Sequence, residues 1–219
     1  VKTVVVRNPY ATEELEKEDY SQWPTESGRI KIIYTGAVYH ANSDCFRNLI
    51  QAMEALQQYP LELHIFTSQT KEDLQRQGIQ GGNLFVYSHV PYDEILEQQR
   101  KADILFLPLA FESAIPDVIR TSAPGKLGEY LTSGRPVLAH VPADSFVAYY
   151  LKKYHCGFIA DQNDPQKLAI AIKELINNLE NDNQTIRKAY QQARLDFSPE
   201  VARNQLRKLL QIGSPNEKY

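Results

Sequence analysis

Several things this sequence has little of narrow its reading at once. It has two cysteines in 219 residues, Cys45 and Cys156, too far apart in sequence to resemble a metal-binding pair. A reduced, cytoplasmic protein is the expectation, since disulfides persist mainly in oxidising compartments. The five histidines are scattered, and none pairs at helical metal-ligand spacing. No metal site is therefore expected. Nowhere does an apolar run approach the roughly 18 residues of a membrane span. The first ten residues, VKTVVVRNPY, lack the long apolar region of a signal peptide. Attachment to a membrane is thus expected to be peripheral at most. The formal net charge is only −3, which gives no bulk attraction to nucleic acid. Internal repeats and low-complexity tracts are missing too.

What is present is a core-building chain with 42% apolar and 23% charged residues. Val1–Val6 reads as a short strand. It is followed to about Gly28 by an irregular linker that holds the acidic run ELEKED and Trp23. One strand followed by about twenty irregular residues is an odd way to open a domain. The expectation is that residues 1–28 lead in from a preceding domain. From Arg29 a regular alternation begins: RIKIIYTG, LELHIFT, LFVY, ILFL, PVLA and GFIA read as strands. Between them lie amphipathic helices, among them one opened by Asp44 as N-cap and one by the Thr70/Asp73 capping box. Ser145–His155 is helical with Gly157 as its cap, and Asp164-Pro165 opens a helix with Leu168, Ile172, Leu175 and Ile176 facing inward. Two more helices follow, the last opened by Ser198 and Pro199.

Strands apolar on both faces that alternate with helices mean a parallel sheet covered on both sides. The predicted fold is α/β, a Rossmann-like doubly wound sheet of about six strands in the order 3-2-1-4-5-6. It spans 29–197, with a C-terminal helix and tail at 198–219. In such sheets the ligand crevice lies beyond the carboxyl ends of strands 1 and 4, where the winding reverses. The loop after strand 1 holds Gly36 and His40. The loop after strand 4, Pro108 to about Ala123, is long for an α/β unit and delivers the chain into SAPGKLGEYLTSGRPVLA, residues 122–139. Pro124 suits the first turn of a helix there, and Leu127 and Leu131 mark its buried face. Lys126, Glu129 and Tyr130 share another face, and Gly134 ends the helix. A cation and a carboxylate beside free N–H groups at a helix N-terminus suit an anion together with a hydroxyl-bearing group. A solvated Lys126–Glu129 ion pair is the plainer alternative.

These residues resemble the C-terminal domain of a GT-B glycosyltransferase of the family-4 retaining type, glycosyl transferase group 1. The matching stretches are VVVRNPY, IYTG, ADILFLP, APGKLGEYLTSGRPVLA and Asn163-Asp164-Pro165, in that order. The resemblance implies a nucleoside-diphosphate-sugar donor as substrate, no separate cofactor, and sugar transfer with retention. The acceptor, a sugar, lipid or small molecule, would be held by a missing N-terminal domain. It implies a donor site of Gly36, Val90, Pro91, Arg120, Thr121, Ser122, Gly125, Lys126 and Glu129. Glu129 would hold the ribose, Lys126 with the N–H groups near Gly125 the diphosphate, and the Val90-Pro91 turn the base. Gly36 would allow close approach of the phosphates. No catalytic residue is assigned. The sequence departs from the family pattern in two places. Ala37 and Asn42 stand where many members carry Arg and Lys, and Thr121 stands where many carry a second Glu. A nucleotide-sugar epimerase and a non-catalytic interaction module are the alternatives.

Overall fold

The computed structural model describes residues 4–10, 28–88, 90–181 and 184–210. The expectations for ELEKED, Trp23 and His89 lie outside them. Six strands form one parallel sheet: β1 (Ile30–Thr35), β2 (Leu61–Phe66), β3 (Leu84–Tyr87), β4 (Ile104–Pro108), β5 (Val137–His140) and β6 (Phe158–Ala160). Their order is β3-β2-β1-β4-β5-β6, with every neighbouring pair parallel, as predicted. Strands β2, β4 and β5 are buried along their whole length, so that Glu62 and His64 of β2 and His140 of β5 lie inside with the apolar residues.

Side chains alternate between two cores. Ile32, Tyr34, Phe106 and Leu138 point to one face, where α1 (Ser43–Ala55) and α7 (Pro165–Asn181) cover them with Phe46, Leu49, Leu168 and Ile172. Ile33, Leu105, Leu107, Val137 and Ala139 point to the other. There α3 (Tyr92–Arg100), α5 (Gly125–Thr132), α6 (Phe146–Tyr154) and α8 (Gln184–Phe197) supply Ile95, Leu127, Leu131, Leu151 and Phe197. Helix α2 (Lys71–Arg76) opens on the expected Thr70/Asp73 capping box. Helix α9 (Pro199–Leu210) follows Ser198, whose hydroxyl accepts from the Val201 N–H at 3.2 Å.

The structure corrects several local expectations. Residues 4–10 carry no strand and are not part of the sheet. They lie as a strap along α8: the Tyr10 N–H donates to the Phe197 carbonyl at 2.8 Å, and the Arg7 guanidinium stands 3.6 Å from Asp196. The same guanidinium lies over the Tyr150 and Phe197 rings. Helix α6 ends at His155, which itself takes the left-handed conformation, φ 50°, so Gly157 is not its cap. The long loop after β4 contains a short helix, α4 (Pro116–Thr121), absent from the sequence reading.

Asp44 is not the cap of α1 either. Asn42 holds that position, and Asp44 lies inside the first turn. Its Oδ2 accepts from the Phe111 and Glu112 N–H groups at 2.8 and 3.2 Å, and its Oδ1 from Cys45 N–H at 2.9 Å. With Ala110 N–H donating to the Ala41 carbonyl, this ties the start of the β4 loop to the start of α1. Asp44→Ala leaves two N–H groups of that loop without their acceptor. It should lower the unfolding free energy by about 1–3 kcal/mol in chemical denaturation. A change inside about 0.5 kcal/mol, the usual scatter of surface substitutions, would mean the loop holds itself.

Candidate donor-binding crevice

The crevice opens where β1 and β4 part. They pair only at Ile32↔Ile104 and Ile33↔Leu105, so the last two residues of β1 have no β4 neighbour. The Thr35 N–H donates instead to the Tyr130 hydroxyl of α5 at 3.0 Å, and the Thr35 and Tyr130 hydroxyls lie 3.2 Å apart. Tyr130 is therefore fully buried and does not share the outward face of Lys126 and Glu129, contrary to the sequence reading. Burial raises its phenol pKa, against the opposing effect of the Thr35 hydrogen bonds. Pro124 sits at the N-cap of α5 with extended ψ, one residue earlier than expected, and offers no side-chain cap. The first N–H groups of a helix have no partner inside the helix.

Gly36 follows at φ 128°, a conformation open to glycine. The space beside it is filled by Lys126: a Cβ on Gly36 would come within 2.5 Å of the ammonium. That ammonium lies 5.4 Å from the Tyr34 ring centroid and makes no hydrogen bond or contact ion pair with a described residue. Burial lowers its pKa, and Glu129 partly restores it. Glu129 is half-buried, and burial raises its pKa against the lowering effects of Gln99 and Lys126. The two side chains influence each other without meeting, so the solvated ion pair is not what forms.

The other expected site residues divide. Gly125 opens α5, and its carbonyl accepts from the Tyr10 hydroxyl. Val90 is half-buried against the second core, and Pro91 caps α3 at the rim. Arg120 and Thr121 lie on α4, and Ser122 ends it. The Arg120 Nε is 2.9 Å from Asp144 and its Nη1 3.4 Å from Asp117. The Thr121 hydroxyl donates to the Asp117 carbonyl at 2.7 Å. Both are thus engaged on their own side of the loop. His40 is exposed, edge-on to Tyr39.

Asn42, standing where a cation is common in the resembling family, is buried and structural. Its amide donates to the Tyr34 hydroxyl and the Ala37 carbonyl at 3.1 and 3.2 Å, and its Oδ1 accepts from Tyr39 N–H at 2.9 Å. The loop after β1 is tied by this side chain together with Gln69, whose amide accepts from the Val38 N–H at 2.8 Å and donates to the Val38 carbonyl. Sequence reasoning also missed Gln99, Tyr92 and Tyr10, which surround Glu129. Gln99 donates to Glu129 Oε1 and, at 3.0 Å, to the Thr35 hydroxyl. A glutamine four residues after the buried Ile95, on the inward stripe of α3, was the signal available. Tyr10 lies on Gly128, where an added Cβ would come within 2.6 Å of its ring. Its phenol pKa is pushed up to about 12 by burial first and then by Glu129 and Tyr92.

A doubly wound parallel sheet with a crevice at its switch point is a Rossmann-like α/β fold. Residues 29–178 match the family model "Glycosyl transferases group 1", and the chain belongs to that family. A glycosyltransferase from Rickettsia africae has a similar fold, with TM-score 0.68 and 14% identity over 96% of this chain and 58% of that one. So has the Anabaena HepE protein solved with UDP-glucose, with TM-score 0.68 and 14% identity over 95% of this chain and 57% of that one. WaaG, a glycosyltransferase of lipopolysaccharide biosynthesis, gives TM-score 0.62 and 15% identity over 96% and 56%. The chain thus spans a little over half the length of each. No curated protein matches it in sequence. Among the described residues no helix is long and apolar enough to cross a membrane.

The raised pKa of Glu129 has a consequence for stability. A carboxyl whose folded pKa lies above its unfolded value near 4.5 favours the fold below that value. The contribution is lost as pH rises through the folded pKa. Glu129→Gln has no such titration, so its melting temperature relative to wild type should rise between pH 4 and pH 7. A pH-independent difference would show that burial does not destabilise this carboxylate.

Proposed function

We propose that this chain is the donor-binding part of a retaining glycosyltransferase and takes a nucleoside-diphosphate sugar in the β1/β4 crevice. The observation that carries the proposal is the Lys126 ammonium. It is half-buried beside Gly36, without a hydrogen-bond partner among the described residues, at an uncapped helix N-terminus and one turn from Glu129. A half-buried ammonium that no acceptor meets directly gains from a ligand that supplies one. A diphosphate meets that need: its oxygens accept from Lys126 and from the first N–H groups of α5. Glu129 then reads the ribose, an acceptor-only group matched to hydroxyl donors. The Val90-Pro91 turn and the exposed Tyr92 lie at the rim, where the base would rest.

In this reading the chain's own contribution to transfer is electrostatic. Lys126 and the helix N-terminus hold the negative charge that gathers on the departing diphosphate, commonly a large catalytic effect. Arg120 could add to it only by leaving Asp144, so Lys126 is the principal cation. Residues 1–28 would connect to a preceding domain that holds the acceptor, and residues 29–197 would be the donor domain. The UDP-glucose bound by HepE gives this ligand class its support.

The test is calorimetric titration of the 219-residue chain with UDP, ADP and GDP and with the matching nucleosides. Glu129→Ala should weaken the best diphosphate roughly tenfold or more, from loss of charge-assisted hydrogen bonds. Lys126→Ala should weaken the diphosphate similarly, more so at low salt, and leave the nucleoside nearly unchanged. Binding that neither substitution alters would place the ligand elsewhere and make the pair structural. A wild type that takes none of the three diphosphates at millimolar concentration would overturn the donor-site reading.

A further inference from the structure

The sequence between the strap and β1 is strongly acidic. Residues 11–27 hold Glu13, Glu14, Glu16, Glu18, Asp19 and Glu26 against the single Lys17, a net charge of −5. The whole chain carries −3, so the remainder carries +2. Among the described residues, five cations gather at the amino end of the sheet on the side that α3 covers. Lys31 lies two residues before the inward Ile33 of β1 and so on the same side. Its N–H donates to the Asp103 carboxylate at 2.8 Å, and the Asp103 N–H donates to the Lys31 carbonyl at 2.9 Å. Arg100 and Lys101 end α3 just before Asp103. Arg135, ahead of β5, donates from its Nε to the Arg100 carbonyl. Arg29 leads into β1 and pairs with Glu62. Cations suit the carboxyl end of a helix, which accounts for Arg100 and Lys101. Arg29, Lys31 and Arg135 belong to no helix, so that effect does not explain the grouping. The carboxylates among them are Glu62, Asp103 and Glu97, the last 2.6 Å from Lys101. Positive charge is in excess.

The described chain stops and resumes on either side of this cluster. Tyr10 lines the groove between α3 and α5 together with Arg100. Gly28 and Arg29 line a hollow with Glu62 at the amino end of β2. The residues between Tyr10 and Gly28 can span at most about 60 Å, so the cluster is within reach from both ends. We propose that Arg29, Lys31, Arg100, Lys101 and Arg135 form the docking surface for this chain's own acidic segment, Glu13 to Asp19. Charge complementarity selects the segment, and its tether favours it over a separate anionic partner. Two fixed ends keep it at an effective concentration on the order of millimolar. A segment seated there joins the strap to the start of β1 across the end of α3. The strap in turn holds α5 through the Tyr10 hydroxyl and the Gly125 carbonyl. The attraction acts between groups at the surface, so salt weakens it. It does not depend on what the crevice binds.

The test is cleavage of the 219-residue chain by a glutamate-specific protease, read at Glu13 and Glu14. An end-blocked synthetic peptide of residues 11–27 is the reference for a segment that nothing holds. At low salt, about 20 mM, wild type should be cut roughly tenfold more slowly than the peptide, the effect of several surface ion pairs acting together. At about 0.5 M salt the ratio should fall to within roughly threefold. Lys101→Glu combined with Arg29→Glu should lose the protection at low salt. Adding Glu16→Lys and Glu18→Lys to that variant should restore it. A wild-type segment cut as fast as the peptide at low salt would overturn the proposal. So would protection that salt leaves unchanged, which would mean that apolar contacts hold the segment. Protection that grows with protein concentration would overturn it as well, by placing the segment on a second copy. These arms need no variant, so they decide even if the charge-reversed chain does not fold. Protection that persists in a folded Lys101→Glu, Arg29→Glu chain would put the segment on another surface and count equally against it.

Discussion

The crevice depends on one backbone group, the N–H of Thr35. It points to the side of β1 that faces β4, while the next N–H, of Gly36, points to β2 and meets the Phe66 carbonyl at 2.8 Å. Because β4 has already diverged, a strand cannot accept the Thr35 hydrogen. A buried N–H must find an acceptor, and the Tyr130 hydroxyl is that acceptor. The opening of the sheet therefore fixes where α5 lies. With Tyr130 anchored, Glu129 and Lys126 are carried to the crevice mouth. Gln99 closes the circuit from α3 by holding both Thr35 and Glu129. Side chains on three elements are thus positioned by a single hydrogen-bonded chain at the end of the central strand.

Much of this was legible before any coordinates. The β3-β2-β1-β4-β5-β6 order follows from alternating strands and helices with right-handed crossovers. The same rule places the residue 122–139 stretch at the switch point. What could not be read were contacts between residues far apart in sequence that share no local pattern. Tyr130 looks like a companion of Glu129 because it is adjacent to it. Only its anchor on Thr35 turns it inward. Gln99 reads as one more polar helix residue until Glu129 is set beside it. Arg120 reads as a free cation until α4 folds it against Asp117 and Asp144. The described part of the strand expected at Val1–Val6, residues 4–6, is not strand for a related reason. An apolar run favours extended backbone, but a strand also needs a pairing partner, and residues 4–10 are held on α8 by one backbone hydrogen bond and the Arg7–Asp196 ion pair instead.

The uncharged residues in the loop after β1 acquire a physical meaning. With Asn42 in place, the loop is held by amide hydrogen bonds, which need no counter-ion and barely respond to salt. A lysine or arginine there would be free to reach into the crevice but could not tie together Tyr34, Ala37 and Tyr39. Rigidity of the loop and positive charge in the loop are competing uses of one position. Here the first is realised, and Lys126 from the facing helix stands as the cation nearest Gly36.

The contact of Tyr10 with Gly128 bears on how this sequence can drift. The ring occupies the volume that a side chain at position 128 would need, and the Phe197 ring crowds the same point from α8. A larger residue at 128 is compatible with the fold only if residue 10 shrinks or the strap lifts away. Lifting it would also release Arg7 from Asp196. Positions 10 and 128 are therefore tied through space, and substitution at either is tolerated chiefly as half of a compensating pair. Among related chains such linkage would show as correlated size at the two positions, with the bulk of one mirrored by the smallness of the other.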